Sequence, residues 1–219
     1  MYKNFVKRIA DIILSFVALV LTAIPMLIVA IVIKIESKGP VIFKQERVGK
    51  NGKVYWMYKF RSMCIGAEQM EEGVYCEKGD RRVTKVGKFI RATSIDELPQ
   101  FINIIKGDMS LIGPRPVLTY YPKQWEEYTE EELKRFDVRP GVTGWAQING
   151  RDELEIPVKA KLDGEYTAAL NSGCFKGFAM DIKCLLGTII SVLKSDGVVE
   201  GGTGEIKKQE ERKKEIVGK

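Results

Sequence analysis

Residues 12–33, IILSFVALVLTAIPMLIVAIVI, run without a single charge. How this stretch is read decides the architecture. At about 1.5 Å of rise per residue, roughly 20 apolar residues cross the hydrocarbon core of a bilayer. A core helix of a soluble protein is the plainer alternative. A cleaved signal peptide fits poorly, because the run is long and no A-x-A-like site follows it. Pro25 sits mid-run, where it removes the N–H that would bond the Leu21 carbonyl, and Thr22 is placed to relieve the disturbed backbone. Lys3, Lys7 and Arg8 precede the run; Lys34, Lys38 and Lys44 follow it. Basic flanks on both sides give no orientation bias. Two topologies therefore stand side by side: a kinked single span, or a helix that enters, bends at Pro25 and leaves on the same face.

The whole chain has 219 residues, 45% apolar and 29% charged, with net charge +6 and pI near 9.0. That is enough for one ordinary domain with a real core. A basic balance suits nucleic acid, an anionic membrane surface or phosphate-bearing substrates. Histidine is absent, which excludes Ser-His-Asp and Cys-His catalysis and every histidine-containing zinc site. Cys64, Cys76, Cys174 and Cys184 form no C-x-x-C pair and are too sparse for a disulfide scaffold. They read as reduced thiols facing a cytosol.

Beyond the apolar run, Val41 to Met63 reads as a β-hairpin turned at Asn51-Gly52. Lys78, Arg81, Arg82, Lys85, Lys88 and Arg91 make a basic stretch. It is either a solvated face or a phosphate or headgroup site. Ser94-Ile95-Asp96-Glu97 then opens a helix whose stripe is Leu98, Phe101, Ile102 and Ile105. Either Ser94 and Glu97 form a capping box, or Asp96 is the N-cap with Pro99 in the first turn. Both readings place Asp96 and Glu97 at the helix end that favours anions. Gly113-Pro114-Arg115-Pro116 is a rigid segment that fixes one arginine. Glu126 to Arg135 predicts a charged, solvated helix, and Arg139 to Trp145 a loop. Asp181 to Lys194 predicts a helix whose stripe packs in the core, with a seat on the membrane surface as the minor alternative. The Gly- and Lys-rich tail from Gly201 predicts disorder.

These parts suit transfer of a sugar phosphate out of a nucleotide sugar. Arginines and a divalent cation neutralise a diphosphate. An ionised Asp attacks phosphorus without a histidine base. Plain capping by Asp96 and Glu97, and ordinary surface roles for the cations, explain the same residues taken singly.

The motifs taken together change that balance. Lys7-Arg8 with Asp11, Lys59-Phe60-Arg61-Ser62-Met63, Arg91, Asp96-Glu97-Leu98-Pro99-Gln100, Lys106-Gly107-Asp108-Met109-Ser110, Gly113-Pro114-Arg115-Pro116, Arg139 to Gln147 and Asn149-Gly150-Arg151 follow in unbroken order. In these the chain resembles the bacterial sugar transferase family, the small monotopic phosphoglycosyl transferases. The resemblance implies a helix-rich α+β fold. A re-entrant helix-break-helix anchor spans residues 1–38, a cytosolic catalytic domain with the hairpin spans 39–200, and a disordered tail spans 201–219. It implies transfer of a sugar-1-phosphate from a UDP-sugar to polyprenyl phosphate, with release of UMP, at the cytoplasmic face of the bacterial inner membrane. Asp96 matches the nucleophile and Glu97 its partner, both tied to Mg²⁺. Lys59, Arg61, Arg91, Arg115, Gln147 and Arg151 match substrate-binding positions, with Arg115 on the donor phosphates. Membrane lipid is an implied partner, a homodimer is compatible, and nucleic acid is excluded for want of a recognition motif. The sequence departs from the family pattern at Ile24-Pro25, at Ile156-Pro157 and at Gly164.

Overall fold

The computed structural model of the chain describes residues 2–70, 80–120, 125–150 and 154–193. A short π-helical turn over Tyr2–Val6 leads into α1 (Lys7–Glu36). The hairpin of β1 (Ile42–Val48) and β2 (Val54–Phe60) follows. Then come α2 (Lys85–Ala92), α3 (Gln100–Lys106), β3 (Ser110–Ile112) and β4 (Val117–Leu118). The second half holds α4 (Glu130–Leu133), β5 (Gly141–Thr143), α5 (Trp145–Ile148), α6 (Ile156–Asn171) and α7 (Cys174–Leu193). The architecture is α+β and helix-rich. One sheet has the order β2-β1-β4 and the other pairs β3 with β5 in parallel.

The hairpin forms as its sequence predicts. Asn51 and Gly52 take positive φ of 55° and 74°, the conformation an Asn-Gly turn accepts at least cost. β1 and β2 then pair from Ile42↔Phe60 to Val48↔Val54.

Among the described residues, one helical stretch, Tyr2–Glu36, is long and apolar enough to cross a membrane. The backbone shows no break at Ile24-Pro25: α1 is helical throughout its 30 residues. Losing one bond at Pro25 leaves the turns on either side intact, so the helix absorbs it. Thr22 donates its hydroxyl to the Ala18 carbonyl at 2.7 Å, not to the Leu21 carbonyl that the proline deprives. The side of α1 facing the protein is polar over the first half of the helix and apolar over the second. Lys7, Asp11, Ser15, Thr22, Met26 and Ile33 recur at helical spacing and are buried or half-buried. Leu14, Phe16, Val20, Leu21, Ile24 and Leu27 point away and are exposed.

Both ends of α1 are fastened to the same domain. At the first end Lys7 Nζ lies 3.0 Å from Asp181 Oδ2, and Tyr2 donates its hydroxyl to the same oxygen at 2.6 Å. Asp11 accepts from Ser110 Oγ at 2.7 Å and from the Leu111 amide at 3.1 Å. Arg8 closes the C-terminus of α3 by donating to the carbonyls of Ile104 and Ile105. At the other end Ile33 packs with Phe60 and Ile90. Glu36 accepts from the Lys85 and Val86 amides that open α2.

Three sequence expectations change. The Arg139–Trp145 stretch contains β5, because Gly113, Gly141 and Gly144 let two backbones touch. A Cβ at Gly141 would lie 2.1 Å from the Gly113 nitrogen, and one at Gly144 2.1 Å from the Gly113 oxygen. The charged stretch to Arg135 is not a solvated helix. A capping box of Thr129 and Glu132 opens α4, and a 3₁₀ turn over Lys134–Asp137 buries Arg135. The stripe of α7 is not core: Phe175, Phe178, Ile182, Leu185, Leu186, Ile189 and Ile190 are exposed. Its small and polar edge of Gly177, Asp181 and Cys184 faces the protein instead, because Tyr2, Lys7 and Tyr166 demand Asp181. The departure at Ile156-Pro157 is absorbed, since Pro157 occupies the first turn of α6, where its missing N–H costs nothing. The tail from Gly201 lies outside the described residues.

Gly141→Ala is expected to destabilise the domain by about 3 kcal/mol, near the upper end for overpacking. Thermal unfolding in detergent measures it; Gly66→Ala, where no heavy atom would lie within 4 Å of the new Cβ but φ is 78°, gives for comparison the smaller cost of backbone strain alone.

Candidate active site

The site forms where β2 meets the turn before α3. Asn103 of α3 is fully buried and makes that junction. Its Oδ1 accepts from the Tyr58 amide at 3.0 Å, and its Nδ2 donates to the Trp56 carbonyl at 2.7 Å. The side chain thus stands in for a strand neighbour along β2. With α3 held in that register, Lys59 and Glu97 face each other: Lys59 Nζ donates to Glu97 Oε1 at 2.8 Å.

Asp96 and Glu97 occupy a 3₁₀ turn over Ile95–Glu97 that precedes α3. Asp96 is 4% exposed. Neither expected cap forms. Ser94 makes no side-chain cap bond, and the N-cap of α3 is Pro99. Glu97 instead turns its carboxylate to Lys59, so local capping no longer accounts for the pair. Ser94 takes a left-handed φ of 56°, uncommon for a residue with a Cβ and worth a search for function. It reverses the chain between α2 and the Ile95–Glu97 turn.

Arg115 enters from the opposite side, between β3 and β4. Its Nη1 lies 3.8 Å from Glu97 Oε1, and its side chain is 41% exposed. The two touching backbones fix this segment: the Gly113 amide donates to the Thr143 carbonyl, and the Gly141 amide to the Pro114 carbonyl. Arg91 ends α2 and donates to Ser62 Oγ at 3.4 Å. The structure therefore joins Lys59, Glu97 and Arg115 directly, with Asp96 in the same turn as Glu97. Gln147 of α5 is buried beside the Gly113–Gly144 contact. Neither of its amide atoms has a hydrogen-bond partner among the described residues. An orphaned buried amide is a group that a ligand can satisfy.

Arg61 is placed elsewhere. It is buried and donates to the Ser37 and Lys38 carbonyls and to Ser37 Oγ, at 2.7–2.9 Å, clamping the exit of α1. Within the basic stretch, Arg82 is likewise buried, forked onto Asp80 and donating to the Ala67 carbonyl. Lys78 and Arg151 lie outside the described residues. Sequence reading passed over Asp163 and Arg135, which form a buried ion pair at 2.9 Å. The available signal was Asp163 itself, a carboxylate on the α6 face shared with Ala160, Thr167 and Leu170.

Two neighbouring carboxylates among cations can do two things: bind an anionic ligand through the cations, and present a carboxylate oxygen to it. Among the described residues no group of three or more His, Cys, Asp or Glu side chains could hold a metal. Two carboxylates are nonetheless a donor set that Mg²⁺ accepts when phosphate oxygens complete its shell.

Asn103→Ala is expected to cost about 3 kcal/mol, because the Tyr58 amide and Trp56 carbonyl lose their buried partner. The fall in unfolding midpoint measures it.

The sequence profile of the family described as bacterial sugar transferase matches residues 2–195. The UDP-N-acetylgalactosamine-undecaprenyl-phosphate N-acetylgalactosaminephosphotransferase of Aeromonas hydrophila is 49% identical over 144 residues, covering 66% of this chain and 34% of that protein. The UDP-glucose:undecaprenyl-phosphate glucose-1-phosphate transferase of Klebsiella pneumoniae is 45% identical over 161 residues, 73% of this chain and 34% of its own length. An uncharacterized sugar transferase of Bacillus subtilis strain 168, EpsL, is 39% identical over 192 residues, 88% of this chain and 89% of its own. The chain thus spans about a third of the first two relatives and nearly all of the third.

Proposed function

This chain belongs to the bacterial sugar transferase family, and on that premise we propose that it moves a sugar-1-phosphate from a UDP-sugar to undecaprenyl phosphate and so starts assembly of a surface glycan. The observation that carries the reading is the meeting of Lys59 and Arg115 on Glu97, beside buried Asp96. The named relatives act on UDP-sugars and undecaprenyl phosphate, which supports the choice of donor and acceptor.

In the first step an Asp96 carboxylate oxygen attacks the sugar-bearing phosphorus. The bond from that phosphorus to the oxygen bridging the two phosphates breaks, and UMP leaves with the electron pair. Asp96 then carries the phosphosugar as an acyl phosphate. In the second step a phosphate oxygen of undecaprenyl phosphate attacks the same phosphorus, and the Asp96 carboxylate departs. Both nucleophiles are anions, so no proton need be taken, in keeping with a chain without histidine. Arg115 and Lys59 meet the charge of the diphosphate, and Arg91 adds a third cation at the edge of the site. Mg²⁺, when bound by Asp96 and Glu97, supplies charge neutralisation at the phosphate oxygens. Gln147 offers its unpartnered amide to a polar group of the substrate, and Arg151 joins the substrate contacts.

The same reading includes a monotopic anchor with both flanks on the cytoplasmic side. A continuous helix of this length, about 45 Å along its axis, is long enough to reach across a bilayer. Yet its first turns hold Asp181 and Ser110, and its last hold Ile90 and the α2 amides. One domain supplies both sets of partners, which supports placing both flanks on one side of the membrane. The exposed apolar faces of α1 and α7 are then the surfaces that lipid covers.

Asp96→Asn is expected to abolish a covalent phosphosugar adduct, read by intact mass after donor is added without acceptor. An adduct of undiminished yield would remove Asp96 from the nucleophile's role. For the anchor, cysteines placed at Asn4 and Lys38 are expected to react with an impermeant label from the same side of sealed vesicles. Labelling from opposite sides would establish a single crossing.

A further inference from the structure

The segment that carries Arg115 is held from behind. Arg135, in the 3₁₀ turn over Lys134–Asp137, is buried, and its Nη2 donates to the Arg115 carbonyl at 3.1 Å. The same Nη2 lies 2.9 Å from Asp163 Oδ2 on α6, with the two side chains 7% and 2% exposed. A guanidinium NH₂ carries two hydrogens, so this nitrogen can serve a carbonyl and a carboxylate together. The contact with Asp163 is an ion pair and not an aligned hydrogen bond: neither Asp163 oxygen has a hydrogen-bond partner among the described residues. Burial pushes the Asp163 carboxyl up to about 6 against the pull of Arg135 and Lys159, which leaves it largely ionised at neutral pH.

The handle is well chosen. Pro114 and Pro116 flank Arg115 and have no N–H to anchor. Arg47 holds the Pro116 carbonyl at 3.1 Å, and the Gly141 amide holds that of Pro114. The Arg115 carbonyl is the remaining acceptor between them, and Arg135 takes it. Beyond that clamp the Arg115 guanidinium is 41% exposed and reaches Glu97 at 3.8 Å, so its aim depends on how its own backbone is set.

We propose that Arg135, itself held by Asp163, is a positioning residue for phosphosugar transfer: it fixes the Arg115 carbonyl and thereby aims the Arg115 guanidinium at the donor diphosphate beside Glu97. This rests on the donor-binding role assigned to Arg115 above. A purely structural ion pair can be replaced by apolar residues of similar volume at little cost in stability. The positioning role cannot, because an apolar side chain offers no donor to the Arg115 carbonyl.

The test is a cycle in the full chain in lipid nanodiscs, following UMP release at varied UDP-sugar. Arg135→Met with Asp163→Leu is made in the wild-type and in the Arg115→Ala backgrounds. The expected result is an unfolding midpoint within about 3 °C of the parent. In the wild-type background, kcat/KM for the donor falls about tenfold or more, with KM for undecaprenyl phosphate unmoved. In the Arg115→Ala background, the further loss is under about threefold. Losses that multiply across the two backgrounds would show that Arg135 does not act through Arg115 and would overturn the proposal. Should the double replacement fail to fold, Arg135→Lys, which keeps a cation for Asp163 on a shorter side chain without the planar guanidinium, is carried through the same cycle. A loss confined to the wild-type background supports the clamp, whereas no loss, or an equal loss in both, sinks it. If Arg115→Ala alone leaves donor kinetics intact, the donor-binding role of Arg115 fails, separately from the clamp.

Discussion

The buried ion pair between Lys7 and Asp181, 3.0 Å apart, is the constraint on which the rest hangs. Two charges removed from water are tolerable only if their remaining hydrogen-bonding capacity is met. Here Tyr2 and Tyr166 supply hydroxyls to the two Asp181 oxygens at 2.6 and 2.7 Å. The consequence is a fixed attachment of a long, apolar helix to the rest of the domain. It also inverts the usual amphipathic logic along the first half of α1: the polar side faces protein and the apolar side faces away. The same demand turns the small, polar edge of α7 inward and its bulky residues outward.

That attachment runs on into the site through β3. Asp11 of α1 holds Ser110 and Leu111, and the Tyr166 hydroxyl, sharing its one hydrogen with Asp181, also lies 2.8 Å from the Ile112 carbonyl. The next residues are Gly113-Pro114-Arg115. The strand that receives α1 is therefore the strand that delivers Arg115. Backbone contact with β5, possible only with glycine at 113, 141 and 144, sets where it ends. On the other side of the site, Asn103 sets Lys59 and Glu97 by binding β2 as a neighbouring strand would. Two independent devices, one glycine contact and one amide, bring three chain segments to a single cluster of charge.

Much of this was legible in the chain, for identifiable reasons. The hairpin was readable because Asn51-Gly52 states its turn chemistry locally. The carboxylate pair and Arg115 were readable because they sit in short motifs. The strand β5 was not, since its glycines signal a turn until the partner backbone is known. Arg135 was not, since a charged run looks solvated unless Asp163, far along the chain, is seen opposite it. Arg61 and Arg82 misled in the other direction. As isolated cations they suit phosphate, but both spend their hydrogen bonds on backbone and carboxylate within the fold.

The apolar run at 12–33 by itself determined that this protein carries a segment suited to lipid, because an uncharged stretch of that length has few other stable homes. It also placed a proline in the middle. What it did not determine was where the ends go, since basic flanks on both sides are symmetric. Only the tertiary structure shows that both ends are fastened to the same body of protein. The partners of Lys7 and Asp11 and those of Ile33 and Glu36 belong to one domain, and such long-range pairings leave no trace in local periodicity. The same holds for Asp96 and Glu97. Sequence marks them as adjacent carboxylates; the fold turns one toward Lys59 and Arg115 and removes capping as their explanation.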